Sequence, residues 1–244
     1  MKRFIIMFLV VSFFIAGCST IKTEQTVQEQ VSGVESMDLG VNLKHLGHST
    51  FKLADGRVIY IDPFMLKSSD RADIILITHA HYDHCSREDI EKIIKPGTEI
   101  FVTPDCQSKV NHFDNVKVTL VEPNKVYSSG NIRIETVPAY NINKKFHPKA
   151  NDWVGYVVTV NDKRIYHAGD TDFIPEMKSL KNIDIALLPV GGTFTMDVGE
   201  AADAANSFKP KVLIPMHYNV VDGTSADPKK LESKLDKSIK LLIA

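Results

Sequence analysis

The chain predicts a layered α/β fold, an αββα sandwich in which two mixed β-sheets pack face to face with helices outside. Three observations carry that expectation. Short alternating or wholly apolar stretches of strand length recur in both halves, with helix patterns interspersed among them. Two of these stretches, beginning at Asp73 and Ile183, are apolar almost throughout and need cover on both faces. The 244 residues are 43% hydrophobic and 24% charged, ample material for such a core. Periodicity alone leaves another layered α/β arrangement open.

Taken in order, Val41 to Gly47, Thr50 to Leu53 and Val58 to Ile61 read as an opening meander around Asp55-Gly56, a two-residue hairpin signal. Asp62-Pro63 stops it and leaves Asp62 at the carboxyl end of a strand. The Asp73 strand follows. Ser86, with Glu88, Asp89 and a periodic apolar pattern behind it, starts a helix to Ile94 that Pro96-Gly97 closes. Glu99 to Val102 is a strand and Asp105 to Asn111 a short helix. Strands are predicted at Val116 to Val121, Lys125 to Tyr127, Ile132 to Val137, Val154 to Val160, Arg164 to His167 and Ile183 to Pro189. Asp197, with Glu200 three residues on, caps a helix ending near Lys209-Pro210. Val212 to Pro215 is a last strand, and Pro228 to Lys237 a final helix before an apolar tail, Leu241 to Ile243.

Chemistry concentrates where the Asp73 strand ends, in His79-Ala-His81-Tyr-Asp83-His84. Strand side chains repeat every two residues, so His79 and His81 can face the same way. The chain must turn before the helix at Ser86, which lets Asp83 and His84 aim beside the same point. Imidazole and carboxylate in this density suit zinc, iron or manganese.

Other features bound the setting. The formal charge of -1 offers no basic surface, so no nucleic-acid partner is expected. Lys2 and Arg3 precede an apolar run from Phe4 that is shorter than the roughly 20 residues needed to span a bilayer. It ends in Ile15-Ala16-Gly17-Cys18, which resembles a bacterial lipobox, so residues 1–17 read as a lipoprotein signal peptide with Cys18 lipidated. Residues 18–40, rich in Thr, Gln, Glu and Ser, read as a flexible tether, and 41–244 as the folded domain. The expected location is the periplasmic or extracellular face of a bacterial membrane. Cys85 and Cys106 would there meet an oxidising compartment, where a disulfide between them is one option and burial of Cys85 beneath the site another.

His-x-His-x-Asp-His closing a buried strand resembles the signature of the metallo-β-lactamase superfamily, and three later stretches fit it. They are His167-Ala-Gly-Asp170-Thr-Asp172, Pro215-Met-His217-Tyr218, and Asp62 at its strand end. The resemblance, which spans Val41 to the C-terminus, selects the αββα sandwich. It implies that His79 and His81 bind a first metal, that Asp83, His84 and His217 bind a second, that Asp170 bridges both, and that Asp62 orients a ligand histidine from behind. The usual mid-chain histidine is missing, since Val137-Pro-Ala-Tyr140-Asn141 stands there. The long polar segment Asn141 to Asp152 either swings His147 into the vacancy or leaves the first site open or weakly filled, with His147 then a lid residue that meets only substrate; the former is the reading taken. Leu46-Gly47-His48-Ser49 resembles the opening of the ascorbate-phosphate lactonase-like branch, which brings His48 near the site as a support or a substrate contact, or leaves it as packing. His45 and His167 are read as structural and His112 as surface. In Gly191-Gly192-Thr193-Phe194-Thr195-Met196, Thr193 and Thr195 would offer hydroxyls to substrate, though a tight connection alone explains the glycines.

The resemblance therefore implies a hydrolase with two divalent cations, Zn2+ first and Mn2+ or Fe2+ as alternatives. A metal-bridging hydroxide would attack a small-molecule ester, lactone or phosphoester, with Asp83 orienting it or taking its proton. Tyr218 or His147 would assist near the leaving group. Two other classes stay open: a di-iron oxidoreductase, against which the lack of a flavin-binding domain counts, and a non-catalytic metal-binding lipoprotein.

Overall fold

The computed structural model describes residues 39–67 and 70–243. The leader, Cys18 and nearly all of the proposed tether lie outside those residues. Among the described residues, no helix is long and apolar enough to cross a membrane.

The first sheet begins with the predicted meander: β1 (Leu43–Gly47), β2 (Thr50–Asp55) and β3 (Arg57–Ile61). The hairpin turns at Gly56, with Asp55 paired to Arg57. β4 (Ile74–Ile77), β5 (Glu99–Val102) and β6 (Lys117–Leu120) then add in parallel, giving a six-stranded sheet in chain order. The second sheet mirrors this plan. β7 (Val126–Ser129), β8 (Ile132–Pro138), β9 (Val154–Val160) and β10 (Lys163–His167) are antiparallel. β11 (Ile185–Pro189), β12 (Val212–Met216) and β13 (Lys240–Leu241) continue in parallel, making seven strands.

Why the Asp73 run is apolar without alternation is visible in β4. Ile74 and Leu76 point between the sheets, into a cluster with Phe51, Ile59, Val158, Leu187 and Ile214. Ile75 and Ile77 point the other way, onto Ile90 and Ile93 of α1 (Arg87–Ile93) and onto Val110 of α2 (Gln107–Val110). The outer face of the second sheet, with Tyr166, Ala186 and Leu188, is covered by Ala201, Ala204, Ala205 and Phe208 of α3 (Val198–Phe208). Helix, sheet, sheet, helix is thus the layer order, and each buried Ile or Leu contributes about 1.5–3 kcal/mol. The capping box at the start of α3 forms as expected, Asp197 accepting from Glu200 N–H and the Glu200 carboxylate accepting from Asp197 N–H.

Two elements differ from expectation. The final helix is a single 3-10 turn, Pro228–Leu231, and the chain beyond it is irregular. Lys230 and Lys234 would stand four apart on one face, a repulsive pair in a helix. Asp236 instead bonds its N–H to the Asn206 side chain and its carboxylate to Ser238. The apolar tail begins as a strand, β13, because β12 has an open edge for Leu241 to pair with. Cys85 and Cys106 are free thiols, buried with α1 in the outer cluster of the first sheet.

Candidate metal centre

The strands of both sheets deliver their chemistry to one edge. His79, His81, Asp83 and His84 follow β4, Asp62 follows β3, Asp170 follows β10, His217 follows β12, and His48 sits in the β1–β2 turn. Two backbone bonds stitch the sheets there, Val154 N–H to Thr78 carbonyl at 3.2 Å and His217 N–H to His48 carbonyl at 3.0 Å. Gly169 makes the approach of Asp170 feasible: its φ is +65°, and a Cβ would lie 3.0 Å from the Val154 carbonyl oxygen. His48, Asp62, His147 and His217 themselves adopt left-handed backbone, φ between 46° and 56°. That conformation costs a non-glycine residue about 1–2 kcal/mol, so the surrounding fold imposes it.

Ligand atoms gather in two groups, each with all its atoms within 4.8 Å of one another. The first comprises His79, His81, His147 and Asp170, and the second His48, Asp83, His84 and His217. His147 Nε2 lies 3.2 Å from His81 Nδ1 and 3.2 Å from Asp170 Oδ2. The same Asp170 oxygen is 3.0 Å from His217 Nε2 and 3.9 Å from His79 Nε2, while Asp170 Oδ1 is 3.3 Å from His84 Nε2. Asp170 therefore stands between the groups. His147 is brought in by its loop: Lys144 pairs with Asp172 and Glu200 and donates to the Thr195 carbonyl at 2.7 Å, and Asn141 N–H binds the His147 carbonyl at 2.7 Å.

Hydrogen bonds behind the imidazoles set which nitrogen faces inward. Asp62, fully buried, accepts the Thr78 N–H at 2.8 Å, the Thr78 hydroxyl at 2.7 Å and His84 Nδ1–H at 2.7 Å. The Thr78 oxygen in turn accepts His79 Nδ1–H at 2.9 Å, and the Phe194 carbonyl accepts His147 Nδ1–H at 3.1 Å. His79 and His147 are thereby left with Nε2 lone pairs turned toward Asp170, and His84 would present one there once its second proton gives way to a cation. No sequence pattern marks Thr78 or the Phe194 carbonyl for this task.

A cation fits this donor set. His79 Nε2, His84 Nε2, Asp170 Oδ1 and His217 Nε2 are buried with no hydrogen-bond partner. Each such group costs about 1–3 kcal/mol when unsatisfied, and metal coordination satisfies them together. The electrostatics agree. Burial opposes charge on His84, yet Asp170 and Asp62 override it and hold its pKa well above the usual imidazole value. The carboxylate core thus demands a positive charge. Burial and neighbouring His84 drive His79 well below 6.5, which keeps its lone pair free. Asp83 is ionised: burial is outweighed by the His48 hydrogen bond and by His84, which take its pKa down to about 2.

The remaining candidates fall at varied distances. His48 Nε2 is 3.0 Å from Asp83 Oδ2 and its ring centroid 4.2 Å from that of His217, so it joins the second group. His45 stacks on Phe51, and His167, fully buried, bonds to the Ser49 carbonyl. Thr195 is buried, its hydroxyl 3.4 Å from the Met196 carbonyl. Thr193 is exposed, on the side of its loop facing Gly223. Tyr218 packs partly buried against the cluster under α3, and burial raises its pKa.

With this geometry in hand, comparison with known proteins is decisive. The model of the beta-lactamase superfamily domain matches residues 42–217, which include every member of both groups. The chain belongs to the metallo-β-lactamase superfamily. A UPF0173 metal-dependent hydrolase of Thermococcus onnurineus is 32% identical over 216 residues, covering 83% of this chain and 96% of that protein. Among solved structures, a candidate metal-dependent hydrolase of Parabacteroides distasonis shares 37% identity with a TM-score of 0.74, over 83% of this chain and 92% of that one. Igni18, a metallo hydrolase of Ignicoccus hospitalis, shares 28% identity with a TM-score of 0.69, over 84% and 94% respectively. His147 lies within the matched span and clusters with His79, His81 and Asp170.

Proposed function

We propose that the chain is a hydrolase that holds two divalent cations, zinc foremost, and cleaves a small-molecule carboxylic ester, lactone or phosphoester. The observation that carries this reading is Asp170, fully buried between two histidine groups whose inward nitrogens lack partners. The kinship with proteins named metal-dependent hydrolases supports it. His79, His81, His147 and Asp170 would hold one cation, and Asp83, His84, His217 and the shared Asp170 the other. Such a pair supplies Lewis acidity for the substrate oxygen and lowers the pKa of water toward ~7. Asp83, a carboxylate throughout the neutral range, orients the attacking water by accepting its hydrogen bond rather than by keeping its proton. His48 fixes the angle of that carboxylate through its contact with Oδ2. The unpaired Nδ1 of His48 is a buried acceptor beside the second group.

The test is metal analysis joined to a panel of chromogenic ester, lactone and phosphodiester substrates. His79→Ala should abolish hydrolysis with loss of the first cation, and Asp170→Asn, which removes the shared ligand, should abolish hydrolysis and weaken both. Full activity after thorough chelation would refute the reading; bound iron with redox turnover would favour an oxidoreductase, and full occupancy without turnover a binding protein. We further propose that the enzyme is exported and tethered to a bacterial membrane through lipid on Cys18. Labelling with a fatty-acid analogue, lost in Cys18→Ala, tests that placement.

A further inference from the structure

Trp153 is the chain's single tryptophan and sits where the loop carrying His147 rejoins β9. Its backbone carbonyl accepts the Ala139 N–H at 2.9 Å, which closes the base of that loop. The indole lies against every imidazole of the first group, with ring centroids 4.6 Å from His79, 4.9 Å from His81 and 5.3 Å from His147. It is only 7% exposed. Its N–H donates to Asp105 Oδ2 at 2.7 Å, and the other oxygen of that carboxylate accepts the Thr103 hydroxyl at 2.6 Å. Both oxygens of an exposed aspartate are thus engaged in fixing one indole plane, through charge-assisted bonds that are shorter and stronger than neutral ones.

The imidazoles differ in what backs them. Thr78 supports His79 and the Phe194 carbonyl supports His147. The ring nitrogen of His81 that makes a contact, Nδ1, meets His147 Nε2, a fellow member of the group. Among the described residues no hydrogen bond from outside the group orients His81, and the aromatic neighbour from outside the group that packs on it is Trp153, in an edge-type contact with the ring planes 76° apart. A ring that must present a lone pair to a cation needs such confinement, because free rotation about its side-chain bonds costs affinity.

We infer that Trp153, oriented by Asp105, is a positioning residue for the first group: the indole holds His81, and with it His79 and His147, in the rotamers that converge on one cation. This rests on the two-cation reading above. Because the chain has no other indole and this one lies against the first group, its emission should respond as that group fills. The test is titration of the metal-stripped full-length chain with Co2+, following indole emission, cobalt absorption and chelator competition in the wild type and in Asp105→Ala, Asp105→Asn and Trp153→Leu. Asp105→Ala should weaken one of the two ions by about 10–100-fold and leave the other within about twofold. Asp105→Asn, whose amide oxygen still accepts the indole N–H, should restore most of the affinity. Wild-type emission should change as the weakened ion fills. Unchanged affinity for both ions in Asp105→Ala and Trp153→Leu, or flat emission with both ions bound, would overturn this inference alone. A wild type that binds no Co2+ would overturn it together with the two-cation reading. Asp105 is exposed, so its variants keep the test decisive should Trp153→Leu fail to fold.

Discussion

Replacing Asp62 by Asn probes the support of the site at its most buried point. The side chain is fully buried and Asn is nearly isosteric, so no cavity opens. One oxygen can still accept the Thr78 N–H. The other becomes an NH2 group facing the Thr78 hydroxyl and His84 Nδ1, each 2.7 Å away. The hydroxyl can rotate to accept, but His84 Nδ1–H cannot. It either faces a donor or moves its proton to Nε2, the atom that should hold a lone pair toward Asp170. Losing one charge-assisted bond should cost about 1.5–3 kcal/mol in the metal-free protein, and metal affinity should fall about 10–100-fold. The loss should depend on pH. Against burial, Asp170 and Asp62 raise the His84 pKa, so the stabilisation is full below its unfolded value of 6.5 and is lost as pH rises through the folded value. The gap between wild type and Asp62→Asn should therefore narrow as pH rises. Urea melts of the metal-free proteins at several pH values, with chelator competition for the metal, measure both effects. Equal stability and equal affinity in Asp62→Asn would refute the assignment of the His84 proton.

Three further outcomes follow from named contacts. Gly155→Ala should destabilise the fold by at least about 1–3 kcal/mol, because the new Cβ would meet the His167 and Ala168 carbonyl oxygens at 2.6 and 2.7 Å, backbone that cannot swing away; a thermal melt at the wild-type temperature would contradict this. His147→Ala should lower bound metal from two ions per chain to one in elemental analysis, whereas retention of both would make His147 a lid residue. Asp89 accepts the Met65 and Leu66 N–H groups, the Ser86 hydroxyl and Lys92. Burial opposes its charge but those bonds prevail and lower its pKa, so its contribution is full above the unfolded value of 3.8 and is lost as pH falls through the folded one. The stability difference between wild type and Asp89→Asn should accordingly shrink in acid, and a difference that grows there would overturn the sign.

Much of this architecture is legible in the chain because its signals are local. His79, His81, Asp83 and His84 are contiguous and close a strand, and the period-two split of Ile74 to Ile77 between two covers is written in the run itself. The capping box at Asp197 is likewise a three-residue pattern. What the residues leave open is long-range. The position of His147 depends on Lys144 reaching Asp172 and Glu200 across separate loops. Thr78 looks like any strand threonine until Asp62 and His79 are seen on either side of its hydroxyl. Trp153 and Asp105 lie far apart in sequence and carry no motif. The final helix failed to form where like charges opposed it and Asn206 offered Asp236 another partner.

The two-cation site is tested most directly by anomalous diffraction at the zinc edge from crystals of the zinc-equilibrated protein. Two peaks are expected, one among His79, His81, His147 and Asp170 and the other among Asp83, His84 and His217, with Asp170 reaching both. An absence of peaks in excess zinc, or peaks only at surface residues away from Asp170, would contradict it.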